Sequence, residues 1–137
     1  MNRFTQHRFT QLLALSAATL ALGTGVASAQ PTAQTPLTEP VQVSGSVDPS
    51  VSSSCGLRSA AAVQTLQVSQ DFAAVEVAIR NGTPGLTLLI EGTNGFSECH
   101  TSSNGTISAP GLLNRGTYSF YIGNNTPTPT SFNLTIR

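Results

Sequence analysis

The clearest pattern in the chain is an alternation of apolar and polar side chains with a period of two. It covers residues 41–47, 75–79, 118–122 and 132–136, where valine, isoleucine, leucine or an aromatic residue fills almost every second position. A period of two places these side chains on one face of a β-strand. Each segment therefore predicts a strand with one buried face and one solvent-facing face.

Residues 86–90, Leu-Thr-Leu-Leu-Ile, form a near-continuous apolar run instead. Such a run is typical of a central strand that is covered on both faces. Turn-forming sequences flank it, Asn81–Gly85 on one side and Gly92–Gly95 on the other. Together with the alternating segments they predict an all-β fold, a β-sandwich or jelly roll of about seven to eight antiparallel strands.

Residues 69–80 admit two interpretations. Ser69 is a suitable N-cap for a helix that would end before Gly82. The β-branched run from Val75 to Ile79 favours a strand. We predict the strand, with the helix as the alternative.

A motif near the C-terminus, Leu-Asn-Arg-Gly-Thr-Tyr over residues 113–118, resembles the entry to a tyrosine corner. In that device of Greek-key sandwiches, a tyrosine near the start of a strand bonds its hydroxyl to the upstream backbone. We therefore interpret Gly116 and Tyr118 as structural residues rather than ligand contacts.

The N-terminus has the layout of a secretory signal peptide. Arg3 and Arg8 make a basic start, an Ala/Leu-rich segment follows, and Ala27–Ala29 is a small-x-small sequence. Serine, threonine and glycine interrupt the apolar run, which falls short of the ~20 residues that span a bilayer. We predict a signal peptide over residues 1–29, cleaved near Ala29, and a secreted or periplasmic protein.

The next segment, residues 30–40, contains three prolines and one large apolar residue. Such a composition is typical of an extended linker that cannot build a core. We predict a Pro/Thr-rich linker over 30–40, the sandwich domain over 41–137, and no transmembrane segment in the mature chain.

Cys55 and Cys99 are the two cysteines of the chain. An even pair in an exported protein most often forms a disulfide. His100 follows Cys99, but adjacent side chains on an extended strand point to opposite faces, which argues against a dyad. We predict a Cys55–Cys99 disulfide, which closes a loop of about 45 residues and contributes about 4 kcal/mol.

Charged residues make up 9% of the 137 residues, against roughly 25% in an average domain. After Ala29 four arginines stand against six acids, with no lysine, so the net charge is −2. This balance argues against nucleic-acid binding, which depends on basic side chains.

Catalytic chemistry has little support in the sequence. The chain after Ala29 has one histidine and neither the nucleophile motif of serine hydrolases nor the helix motif of zinc peptidases. The remaining enzymatic alternative is a carboxylate pair formed among Glu76, Glu91 and Glu98. We predict that the protein is not an enzyme.

Four segments of the domain form a characteristic combination: Cys55-Gly56, Gly85–Gly95 with Cys99, Leu113–Gly123, and Ser131–Ile136. In this combination the chain resembles the bacterial pre-peptidase C-terminal domain and its small secreted relatives, over about residues 45–137. The resemblance implies a jelly-roll-like sandwich of extracytoplasmic proteins. In that family it is often appended to secreted peptidases, and some members bind calcium, polysaccharide or collagen.

The chain departs from this family in two ways. We expect no attached peptidase, and Thr93, Thr101 and Ser102 stand where the family has aspartates. Calcium takes about six to eight oxygen ligands, with carboxylates among them, and only Glu91 and Glu98 lie near this loop. We expect no cofactor and no metal, with calcium as the alternative.

These observations predict a non-catalytic secreted or periplasmic protein, a structural or interaction component of the cell envelope or extracellular matrix. One alternative is a polysaccharide or cell-surface binding module, with Tyr121, Glu91 and Glu98 as possible ligand contacts. A second alternative is a detached accessory domain of an exported peptidase. The sequence identifies no partner, and polysaccharide and envelope protein are the candidate classes.

Overall fold

The computed structural model describes residues 32–137. The predicted signal peptide therefore lies outside the described residues. The described chain forms eleven strands and one 3-10 turn, Thr93–Gly95. The strands are β1 Ala33–Gln34, β2 Val41–Val47, β3 Val51–Ser53, β4 Gly56–Arg58, β5 Gln64–Val68, β6 Ala73–Arg80, β7 Leu86–Gly92, β8 Ser97–Thr101, β9 Ile107–Leu113, β10 Gly116–Asn124 and β11 Thr130–Ile136.

The strands form two sheets. In the seven-stranded sheet, β10 is central: β7 pairs along one side of it and β8 pairs with β7. On the other side β5 pairs with the first part of β10 and β4 with its end, while β1 and β3 flank them. The four-stranded sheet has the order β2-β11-β6-β9. All pairs are antiparallel except β1 with β5.

One apolar core holds the two sheets together. Phe120 and Ile122 of the larger sheet and Ile79 and Ile136 of the smaller one are fully buried in it. Burying side chains of this size stabilises the fold by about 1.5–3 kcal/mol each. The predicted all-β sandwich with a disulfide is confirmed.

The number of strands differs from the prediction of seven or eight. The additional strands are short: β1 has two residues, and β3 and β4 have three each. Segments of this length are too short to show a period of two, and their pairing depends on a neighbouring strand that already exists.

Within residues 69–80 the chain forms the predicted strand, β6 Ala73–Arg80, rather than the alternative helix. In β6, Val75, Val77 and Ile79 are buried and alternate with side chains that are partly or fully exposed. The turn before it contains Phe72 in the left-handed region, with a φ of 58°. β6 pairs with β9 on one side and with β11 on the other. A helix in this segment could not form these backbone hydrogen bonds.

Part of the segment predicted as a linker, from Ala33 onward, bonds to the domain. Ala33–Gln34 pairs in parallel with β5, and the amide of Thr35 donates to the carbonyl of Gln67 over 2.9 Å. The Ser69 hydroxyl donates to the Thr35 carbonyl over 2.7 Å, and Leu37 packs against the core. Composition alone could not reveal this, because backbone hydrogen bonds to a strand edge require no particular side chain.

No helix within residues 32–137 is long and apolar enough to cross a membrane.

Candidate functional site

The seven-stranded sheet has an outer face, turned away from the four-stranded sheet, and part of it is covered. The β3–β4 hairpin lies there, joined to β8 by the predicted disulfide, whose Cα atoms are 5.4 Å apart. Gly56 takes a φ of +84° at the hairpin turn, and the Ser53 hydroxyl donates to its carbonyl over 2.8 Å. The disulfide is confirmed, and it fixes a small hairpin to the edge strand of the sheet.

Leu89 lies beneath this covering and is 1% exposed. Its cross-strand neighbours are Cys99 on one side and Tyr121 on the other. The guanidinium of Arg58 stacks over the Tyr121 ring, 4.1 Å from its centroid. We call Cys55, Cys99, Leu89, Arg58 and Tyr121 the outer cluster. It is a second, smaller packed region outside the main core.

Tyr121 therefore has a structural contact as well as a position suited to a ligand. The ring is half-buried and Arg58 covers one of its faces. Arg58 is itself oriented by a hydrogen bond from its Nη1 to the carbonyl of Ser59, at 2.9 Å. A ligand would meet the remaining ring surface and the neighbouring strand face, where the Thr117 hydroxyl donates to Gln67 Oε1 over 2.6 Å.

Tyr118 points in the opposite direction, into the core, and is 3% exposed. Its hydroxyl donates to the carbonyl of Asn114 over 2.8 Å, the bond that defines a tyrosine corner. Phe96 packs edge-on against its ring with centroids 5.3 Å apart. Gly92 makes room for that ring, since a Cβ there would lie 2.6 Å from Tyr118 Cε1.

Gly116 is required by a close approach in the same corner. A Cβ at this position would lie 2.1 Å from the Thr93 hydroxyl oxygen, and the φ of +156° disfavours other residues. Thr93 thus packs against the backbone of Gly116.

The structure separates the two carboxylates that the sequence placed near one loop. Glu91 has Ser97 as its β8 partner and lies on the outer face, whereas Glu98 is opposite Ile90 and lies on the core-facing side. Glu98 approaches His100 Nε2 at 3.6 Å. Within residues 32–137, no three histidine, cysteine, aspartate or glutamate side chains are grouped to hold a metal ion.

Several concavities within residues 32–137 lie away from the outer cluster. One, of about 330 Å³, lies between the N-terminal segment and the start of β6, and Thr35, Leu37, Ala74 and Arg137 are among its lining residues. Another, of about 250 Å³, lies beside the tyrosine corner and includes Arg115. Asp71 Oδ1 accepts a hydrogen bond from the Arg115 backbone amide over 2.8 Å, so this loop is held in place.

Sequence reasoning missed Arg58 and the segment that covers Leu89. Arg58 lies in a Ser-rich, turn-like stretch with no period, so nothing marked its stacking on Tyr121. The apolar run of β7 did signal Leu89, because residues 86–90 are all buried as a doubly covered strand requires. What the run could not show was which segment covers the outer side.

No protein-family model matches the sequence, and no curated protein matches it. Among solved structures, the chain is similar to the pre-peptidase C-terminal domain of a collagenase from Bacillus anthracis. The identity is 10%, the match covers 78% of this chain and 95% of that chain, and the TM-score is 0.49.

Proposed function

We propose that the protein is a non-catalytic structural or interaction component of the cell envelope or extracellular matrix. The observation that carries this proposal is the disulfide between Cys55 and Cys99, which links a surface hairpin covalently to β8 in a sandwich of about one hundred residues. Disulfides persist in oxidising compartments, so the bond is compatible with a secreted or periplasmic location.

The roles of the charged side chains support a structural function. Arg137 donates two hydrogen bonds to Glu76 Oε2, at 3.0 and 2.9 Å, across the outer face of the smaller sheet. Arg58 stacks on Tyr121, and Asp71 accepts from the Arg115 backbone amide. In these three places charged side chains hold strands and loops together.

The surface of the four-stranded sheet supports the same proposal. Its outer face is made largely of neutral polar side chains, of which Gln42, Ser44, Ser46 and Asn133 are exposed. Such a surface is soluble and carries little charge to attract ionic substrates.

The proposal is tested by locating the protein in its native host. Free thiols are blocked before lysis, the cell is fractionated, and proteins crosslinked to this chain are identified by mass spectrometry. We expect the oxidised form in the periplasmic or extracellular fraction, crosslinked to an envelope or matrix component. A reduced protein confined to the cytoplasm would contradict the proposal.

A second candidate function is binding of a neutral polysaccharide at Tyr121. The observation that favours it is a partly exposed aromatic ring on the same face of β10 as Thr117, which lies four residues along the strand and whose hydroxyl bonds to Gln67. Sugars are bound by aromatic stacking together with neutral hydrogen bonds.

Retention on insoluble wall polysaccharide tests this alternative. We expect Tyr121→Ala to abolish retention and Tyr121→Phe to preserve it, because the phenyl ring keeps the stacking surface. Phe72→Ala is the control, since this aromatic side chain is 75% exposed elsewhere on the molecule. Absence of retention on any polysaccharide, or equal loss in the control, would reject the alternative.

A further inference from the structure

The strands within residues 32–137 leave five sheet edges, at β1, β3 and β8 in the larger sheet and at β2 and β9 in the smaller one. An edge strand presents backbone N–H and C=O groups that can pair with another chain. Proteins usually blunt such edges by short strands, inward-pointing charges or proline.

All three edges of the seven-stranded sheet are blunted. β1 and β3 have only two and three residues. β8 has five residues, but Glu98 and His100 lie on its core-facing side, opposite Ile90 and Leu88. A second strand added to β8 would bring its own side chains against this polar pair.

The β9 edge of the smaller sheet is blunted by Pro110. Glu76 exchanges both backbone hydrogen bonds with Arg137, at 2.8 and 3.0 Å, so its N–H and C=O point away from β9. Pro110 is opposite Glu76, and its backbone groups therefore point to the free edge. The proline thus costs no bond within the sheet and removes a donor at the edge.

The β2 edge carries none of these devices. Because Arg137 bonds to β6, the preceding residue, Ile136, points its backbone groups toward β2, where Val41 is its partner. By the same alternation Gln42, Ser44 and Ser46 point their N–H and C=O groups outward, away from the sheet. The strand has seven residues, and these three are exposed.

We propose that β2 pairs with β2 of a second copy of this chain, antiparallel and with its two-fold axis at Ser44. The three outward residues are symmetric about Ser44, so Gln42 of one copy lies opposite Ser46 of the other. Every outward N–H then meets a C=O of the partner strand, and the two four-stranded sheets become one continuous sheet. This inference goes beyond the proposed function, since it needs no other envelope component.

A second copy fits this edge better than a charged partner would. The side chains that come together, serine with serine and glutamine with serine, are neutral and able to hydrogen-bond. On the core-facing side, half-buried Val41 of one copy lies opposite half-buried Val47 of the other. The pairing therefore extends the apolar layer and brings no like charges together within the strands.

Sedimentation velocity of the purified disulfide-bonded protein over a concentration series tests the proposal. We expect reversible dimerisation, which Ser44→Lys weakens about fivefold or more by placing two ammonium groups opposite each other. Ser44→Ala retains the dimer, because the pairing uses backbone groups. Ser108→Lys, at an exposed position on the free edge of β9, is the matched control and leaves dimerisation unchanged.

A charge exchange tests the position of the axis. Copies with Ser44→Lys mixed with copies with Ser44→Asp are expected to form heterodimers that are tighter than either homodimer. Thermal melting of each variant shows whether its fold is intact, and unaltered melting with altered dimerisation supports the proposal. A protein that stays monomeric at all concentrations, or a dimer that is indifferent to Ser44→Lys, would overturn it.

Discussion

The outer faces of the two sheets differ in what covers them. On the seven-stranded sheet the β3–β4 hairpin and the disulfide lie over Leu89, which is 1% exposed. On the four-stranded sheet the outer face is open, and its strands carry serine, asparagine, threonine and glutamine toward solvent. The same chain therefore contains one sheet whose outer face is partly covered by another segment and one sheet whose outer face is exposed to solvent.

The difference has a direct consequence for the sequence. β7, with a covered outer face, is apolar almost throughout, whereas β11 and β6 keep a strict alternation. Substitutions on the covered face should therefore destabilise the fold, and substitutions on the open face should have small effects. Four experiments test this contrast.

Removal of the disulfide is expected to have the largest effect. Replacement of Cys55 and Cys99 together by serine should lower the free energy of unfolding by about 4 kcal/mol, because the bond closes a long loop. Urea denaturation followed by circular dichroism measures the loss. Reductant should destabilise the wild type by a similar amount and leave the double variant unchanged; an equal response of both would argue against this origin.

Truncation of Leu89 is expected to come next. Leu89→Ala should cost about 2–4 kcal/mol, since it leaves a cavity between the sheet and the hairpin. Thr135→Ala, at a half-exposed position on the open face, is the control and should stay within about 0.5 kcal/mol of the wild type. Equal losses at the two positions would remove the contrast between the faces.

Two arginines, Arg58 on the covered outer face and Arg80 on the open one, allow a matched comparison of the two faces. Arg58→Ala removes the guanidinium that stacks over Tyr121 and should cost about 1 kcal/mol. Arg80→Ala, at an exposed position on β6, should cost less than half of that. Thermal melting measures the stability of both variants. A larger loss of stability for Arg80→Ala than for Arg58→Ala would contradict our interpretation of the outer cluster as a packed region.

The ion pair on the open face is expected to have the smallest effect. Glu76→Gln should lower stability by about 0.5 kcal/mol at low ionic strength, because both partners are partly exposed. The difference from the wild type should shrink in high salt. Glu91→Gln, on an exposed carboxylate of β7, is the control and should show neither change.

Several elements could be predicted from local pattern alone. The strands β6, β10 and β11 alternate strictly, so their inward faces were evident from residues 75–79, 118–122 and 132–136. The disulfide followed from two cysteines in a chain with a predicted export signal. These predictions succeeded because period and cysteine count are properties of the sequence itself.

Other features could not be predicted, since they depend on what lies opposite a residue in space. Residues 33–37 have the composition of a linker but bond to the edge of β5. Glu91 and Glu98 lie close in sequence but on opposite sides of the sheet, because the β7–β8 register pairs Glu91 with Ser97 and Glu98 with Ile90. The stacking of Arg58 on Tyr121 joins segments more than sixty residues apart.

The order of residues was enough to establish the fold class, the inward sides of β2, β6, β10 and β11, and the pair of cysteines. Side-chain alternation is a local consequence of that order, and it holds whatever the strands pair with. Strand pairing, in contrast, places a hairpin over Leu89, sets Pro110 on one free edge, and leaves the β2 edge unpaired among residues 32–137. These outcomes depend on strand order and on the direction of backbone hydrogen bonds, which non-local pairing establishes.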